Sequence, residues 1–263
     1  MTFSRAEEDI LMRDELYPFL RSMEPIPDRV EHALSRGIIQ GASFPLSVLA
    51  DKLAQGSEPV EDGVLRNADG TVTVCCRTEM HRVEPEWWPW YLMWHSSRSD
   101  RYRLWHPRDH VYTEVVSSPE GEHRILIDEF IGDRLYRLMA RPLAPDAVGA
   151  DAGRLKAAGI KDMRVAHAAF RDASAGFCTI VHQIYATKTG CEMRSRFFVA
   201  GDIDENLIQA RYDVTNPASP PKTASERIGL LLLRHCAEEM NHLAGILPEL
   251  HDAFAEKRSA TKG

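Results

Sequence analysis

The sequence predicts an α+β fold. Between residues 71 and 201 the chain passes through a series of β-branched, alternating segments bounded by turn residues. After them comes one long apolar run, 228–247, preceded by Thr223 and Glu226 in a capping-box pattern. Before them, the first 65 or so residues carry only short helical patterns. Strands gathered in the middle and a long helix at the end make an α+β order, not the alternation of an α/β chain.

The elements follow in order. Residues 5–22 place Ile10, Leu11, Leu16, Phe19 and Leu20 at roughly helical spacing, and Pro25 and Pro27 end the pattern. A second helix is predicted over 28–36, stopped by Gly37, and a third in PLSVLADKLA with Pro45 at its first turn. A turn-rich loop covers 56–70, so residues 1–65 read as a small helical attachment and 66–263 as the main domain. TVTVCCRTEM is a strand in which the adjacent Cys75 and Cys76 point to opposite faces. The segment 84–115 holds all five tryptophans, most of them core by default. RILIDEFIG, VAHAAFRD, GFCTIVHQIYATKTG and CEMRSRFFVAG read as the further strands, although VAHAAF also allows a helix, with a Pro/Ala/Gly-rich connection over 142–160.

Bulk properties narrow the function. The chain has 263 residues, 44% hydrophobic and 27% charged, with a formal net charge of −7 and no long basic tract, which argues against general nucleic-acid binding. No apolar run reaches the ~20 residues that span a bilayer. The start has no apolar signal core, and five cysteines without C-x-x-C spacing suit a reducing compartment, so a cytoplasmic location is expected. No GxGxxG, GxxxxGK[ST] or GxSxG is present, which removes the common nucleotide loops and the serine-hydrolase elbow.

The chemistry concentrates in a few places. His235 and Glu239 stand four apart in the apolar final helix, on one side of it, with His242 near the same stripe. A buried charge is costly unless paired or bound to metal, and imidazole and carboxylate are ordinary zinc ligands. Upstream, His106 precedes Pro107 and is therefore extended, held at a rigid corner. His110 is a lesser candidate, because the pattern leaves its orientation open. In RILIDEFIG, Glu129 alternates with Ile125, Ile127 and Ile131, so this acid on an apolar face needs a metal or an ion-pair partner. His182 shares a strand face with Cys178, Ile180 and Ile184, which fits a hydrogen-bonded core histidine as well as a catalyst.

WHPRDHVY (105–112), DEFIG (128–132), CEMRSRFF (191–198) and RHCAEEMNHL (234–243) together resemble the diacetylphloroglucinol hydrolase family, over roughly residues 84–255. The resemblance implies a helix-grip domain, in which a curved antiparallel sheet wraps one long C-terminal helix around a cavity. It implies a zinc enzyme that hydrolyses the carbon–carbon bond between an acyl group and a polyhydroxylated aromatic ring. The implied zinc ligands are His106, Glu129, His235 and Glu239. Asp109 falls where a substrate-contacting polar residue is expected, and His182 is the choice for the catalytic histidine, although no motif pins it. Tyr91, Tyr185 and Tyr212 are further candidates for contact with ring hydroxyls. The expected partner is a small aromatic ketone, with a homodimer left open.

Three other readings compete, one of them a related hydrolase acting on another acylated ring or a 1,3-dione, since pocket shape sets substrate choice. A helix-grip domain could bind a small molecule without catalysis, and would then hold no metal. A di-metal carboxylate bundle is suggested by Glu239-x-x-His242 but needs a second Glu-x-x-His, which the sequence lacks.

Overall fold

A computed structural model of the chain describes residues 15–55, 60–117, 121–171, 176–212 and 217–255. Its centre is one nine-stranded sheet. The strands are β1 (Ile38–Ile39), β2 (Gly63–Arg66), β3 (Val72–His81), β4 (His110–Ser117), β5 (His123–Ile131), β6 (Arg134–Leu143), β7 (Ile160–Phe170), β8 (Gly176–Ala186) and β9 (Gly190–Val199), in spatial order β1-β2-β3-β9-β8-β7-β6-β5-β4. Strands β4 to β9 form a meander, each antiparallel to the next; short turns impose this at every junction except β6–β7, where a longer connection with its own helix intervenes. The sheet is mixed, not wholly antiparallel as expected. Strand β1 runs parallel to β2, and the long connection between them makes that possible.

Strands β1 and β2 lie within the first 66 residues and extend this same sheet. Helix α1 (Asp28–Arg36) ends where the pattern placed its end, at Gly37, whose φ of 75° suits glycine. The PLSVLADKLA segment forms a 3-10 turn over Leu46–Val48 and then α2 (Leu49–Gln55). Of the first predicted helix, residues 5–14 lie outside the described residues, and Tyr17–Phe19 is a single 3-10 turn.

Two helices not foreseen in the sequence fill the tryptophan-rich stretch, α3 (Trp87–His95) and α4 (Ser99–Trp105). Helix α3 buries one face, Trp88, Tyr91, Trp94 and His95, but its sequence WWPWYLMWH is apolar on the other sides too, so it lacks the one-sided pattern that marks a surface helix. The 142–160 connection contains α5 (Ala152–Ala157), capped by the Asp151 side chain accepting from the Arg154 N–H.

The final helix, α6 (Ala224–Phe254), crosses one face of the sheet. Its Leu230, Leu233 and Met240 pack in one cluster with Val72, Val74 and Cys76 of β3, and each buried leucine contributes about 1.5–3 kcal/mol. Cys75, one residue away, sits in a separate cluster on the opposite face with Phe44, Leu49 and Phe198, as the alternation required. All five cysteines are free and buried. The capping box is present as read: Thr223 Oγ1 accepts from the Glu226 N–H, and the Glu226 carboxylate accepts from the Thr223 N–H. Thr223→Ala is expected to lower stability by about 1 kcal/mol, read as a fall in the thermal unfolding midpoint. An unchanged midpoint would mean that packing alone holds the helix start. No helix among the described residues is long and apolar enough to cross a membrane.

Candidate active site

A cavity of about 650 Å³ lies between α6, the α3–α4 segment and β5–β8. Most of its wall is apolar, including Ile127, Leu138, Ala140, Ile180 and Phe197. The polar groups on it are few: His95, Tyr102, Glu129, His182, His235 and Glu239 among them. An apolar hollow with a few convergent ionisable groups is the usual form of a small-molecule site.

Four side chains from three elements meet at one spot. Glu129 faces the cavity with Ile125 and Ile127, the face predicted by alternation, while Asp128 faces away and pairs with Arg171 at 2.6 Å. His235 and Glu239 project from α6 toward the same place. The fourth side chain is His110, the first residue of β4, paired directly across from Glu129. Its Nε2 lies 3.4 Å from Glu239 Oε2 and 3.7 Å from Glu129 Oε2. His235 Nε2 lies 3.9 Å from the same Glu129 oxygen.

The two histidines of the WHPRDH run have different hydrogen bonds. His110 Nδ1–H donates to the Tyr102 carbonyl at 3.0 Å, which leaves its Nε2 as a bare lone pair aimed at the carboxylates. That Nε2 and both nitrogens of His235 have no hydrogen-bond partner among the described residues. His106 has the opposite arrangement. Its Nδ1 accepts the Asp109 backbone N–H at 3.1 Å, so Nε2 carries the proton and faces Asp109 and Glu238, each at 3.4 Å. His106 therefore stands behind His235, ring to ring at 4.9 Å and 7°, and its nitrogens are engaged away from Glu129 and Glu239.

A break in the strand pairing gives His110 its direction. The register of β4 on β5 shifts between His110 and Tyr112, a bulge that re-aims the side chain at the sheet edge. Nothing in the residue pattern marks that bulge. The signal that was available is the position of His110 directly before a strand-like run.

Electrostatics follow from crowding. Burial raises the Glu239 carboxyl to about 8; His235 draws it back and Glu129 adds to the rise. Burial opposes a charge on His235, but the carboxylates of Asp109, Glu129 and Glu239 outweigh it and raise the imidazole to about 9. The site calls for a positive charge between its acids. Tyr102 reinforces it, donating its hydroxyl to Glu129 Oε2 at 2.5 Å while its ring stacks on His110 at 3.8 Å. Sequence reasoning passed over this tyrosine because the helix that carries it was not foreseen.

The remaining candidates are dispersed. His182 lines the cavity, its Nδ1 within 2.9 Å of Ser195 Oγ and its ring edge-on to Trp88 and Phe197. Burial lowers it to about 4. Asp109 lies next to His106 and His235 and forms no part of the cavity wall. Tyr91 is buried among Trp88, Trp94 and Trp105, its hydroxyl without a hydrogen-bond partner among the described residues. Tyr185 packs on the other face of the sheet, under the Arg194 guanidinium at 4.6 Å. Tyr212 donates to the Leu34 carbonyl at 2.7 Å, tying the loop before α6 to α1.

An apolar hollow between a sheet and a helix, with imidazoles and carboxylates converging on its wall, defines an enzyme of small molecules. The DAPG hydrolase PhiG domain family matches residues 45–252, and the chain belongs to that family. It is thus a hydrolase, of the class that acts on carbon–carbon bonds in ketones. Phloretin hydrolase of Eubacterium ramulus is 28% identical over 201 residues, which cover 70% of this chain and 69% of that protein. A 2,4-diacetylphloroglucinol hydrolase of Pseudomonas protegens is 25% identical over 190 residues, 63% of this chain and 59% of the relative.

Proposed function

We propose that this protein is a zinc-dependent hydrolase that cleaves the bond between an acyl group and a polyhydroxylated aromatic ring. The observation that carries this reading is the buried group His110, Glu129, His235 and Glu239 opening on an apolar cavity. Two imidazoles and two carboxylates are an ordinary set for zinc. The ligand atoms of His110, His235 and Glu239 all lie within 4.8 Å of one another, and Glu129 Oε2 stands 3.7 Å from His110 Nε2 and 3.9 Å from His235 Nε2, spacings that suit bonds of ~2.0–2.2 Å to one shared ion. This set keeps the two-histidine, two-glutamate composition implied by the resemblance and takes His110 in place of His106. The long helix lying across one face of the sheet supports the helix-grip reading of the fold, and five free thiols suit a reducing, cytoplasmic setting.

When bound, zinc supplies a Lewis acid for a carbonyl oxygen and lowers the pKa of a water. The chain supplies the rest. Apolar walls hold the ring and keep out bulk water. Tyr102 holds Glu129 in place through its hydroxyl. His182, with Nδ1 turned to Ser195, has Nε2 left to hold or move a proton. In the balanced reaction a water oxygen bonds to the acyl carbon. The acyl–ring bond then breaks with its electron pair passing to the ring carbon, and that carbon takes a proton. The products are a carboxylic acid and the free polyphenol. Ring hydroxyls assist, because a ring carbon protonated in this way is a keto tautomer and the leaving group a stabilised enolate.

The test is elemental mass spectrometry of the purified protein, followed by incubation with acetylphloroglucinols and phloretin. About one zinc per chain is expected, with acid and phenol released in equal amounts, both lost on chelation and regained with zinc. A protein that takes up no zinc on dialysis would sink the reading.

A further inference from the structure

The two ring nitrogens of His235 face different surroundings. Nε2 is directed to Glu129, while Nδ1 lies 3.6 Å from Asp109 Oδ2. Asp109 is itself held by three contacts, two on its carboxylate and one on its backbone. Its Oδ2 lies 3.4 Å from the protonated Nε2 of His106, its Oδ1 accepts from Arg108 Nε at 3.3 Å, and its backbone N–H is bound to His106 Nδ1. Glu238, on α6 beside the ligand pair, faces the same His106 Nε2 and pairs with the Arg108 guanidinium. His106 is fully buried, and its ring lies parallel to that of His235. The Arg108 guanidinium and the Nε2–H of a neutral His106 thus converge on the carboxylates of Asp109 and Glu238 directly behind His235, outside the cavity wall.

An imidazole that ligates a metal through one nitrogen usually donates the other N–H to a carboxylate, which fixes its tautomer and its direction. We propose that Asp109 is the positioning residue for His235, keeping the proton on Nδ1 so that the Nε2 lone pair faces Glu129, and that His106, Arg108 and Glu238 form the brace that holds Asp109. This rests on the reading of His235 as a zinc ligand. It explains why the WHPRDH run and the RHCAEE run meet: the first supplies the ligand His110 and most of the brace, the second the ligands His235 and Glu239 and, in Glu238, the rest of the brace.

The test is zinc affinity of the full chain, measured by competition with a chromophoric chelator, in wild type, Asp109→Ala and Asp109→Asn. Asp109→Ala is expected to weaken zinc binding about 10- to 100-fold, and Asp109→Asn, which keeps an acceptor oxygen but no charge, about 10-fold. Metal-free unfolding midpoints should match wild type, so that the loss is not one of folding. Long-range 15N–1H spectra of the zinc-loaded wild type should show His235 protonated at Nδ1. Affinities of both variants within twofold of wild type, or a His235 proton on Nε2, would overturn the proposal. Should Asp109→Ala fail to fold, Asp109→Asn decides by the same threshold. A wild type that binds no zinc would instead defeat the functional reading on which this one rests.

Discussion

His110→Ala is expected to lose bound zinc and hydrolysis together, whereas His106→Ala keeps measurable zinc. The motif alone favours the opposite outcome, since the resemblance points to His106. Hydrogen bonds separate the two. His110 commits Nδ1–H to the Tyr102 carbonyl and leaves Nε2 bare, 3.4 Å from Glu239. His106 spends Nδ1 on the Asp109 N–H and holds a proton on Nε2. A ligand must offer a lone pair, so His110 fits the role and His106 does not. Loss of one of four ligands removes several kcal/mol of charge stabilisation, which is ~10³-fold or more in rate. His106→Ala should cost affinity through the brace, on the order of 10-fold. Metal content and turnover measured side by side decide the matter: zinc retained by His110→Ala and lost by His106→Ala would return the ligand to the WHP corner.

Replacing His182 with alanine is expected to lower kcat by about 10²- to 10⁴-fold while zinc content stays at the wild-type level. The side chain lines the cavity from β8, apart from the ligand group, and burial lowers its pKa from the ordinary 6.5 to about 4. The ring is therefore neutral near neutral pH and able to accept a proton. Because the pKa is depressed, protonation sets in only as the pH falls toward about 4. The acid limb contributed by His182 should then lie well below pH 6.5, and His182→Asn should show no such limb. A kcat within tenfold of wild type in His182→Ala would reduce this residue to a core histidine bonded to Ser195, the other reading its strand face allowed. Loss of zinc in the same variant would place it in the metal site instead.

How much of this was legible in the chain depended on the range of the interactions involved. Alternation in RILIDEFIG put Glu129 on the cavity side and Asp128 on the other, because a strand has a fixed period of two. The capping box fixed the start of the last helix, and the four-residue spacing of His235 and Glu239 fixed their common direction. Cys75 and Cys76 separated into the two clusters by the same local rule. Each of these depends only on residues close in sequence.

What failed to show was whatever depends on contacts between distant segments. Helix α3 is apolar all round, so it carries no polar stripe to reveal its period, and α4 spans only Ser99–Trp105, two turns in which a period hardly repeats. Tyr102 and His110 gain their roles from a helix packing on a strand edge, and the bulge that aims His110 exists only in the pairing of β4 with β5. Tyr185 and Tyr212 were chosen as hydroxyl bearers, yet one lies on the far face of the sheet and the other on a loop tied to α1. By itself the sequence determined the fold class, the final helix and three of the four residues of the proposed metal group, since helical and strand periodicity act locally. The proposal of His110 as the fourth rests on the tertiary structure alone, on which nitrogen of each histidine the neighbouring backbone already occupies.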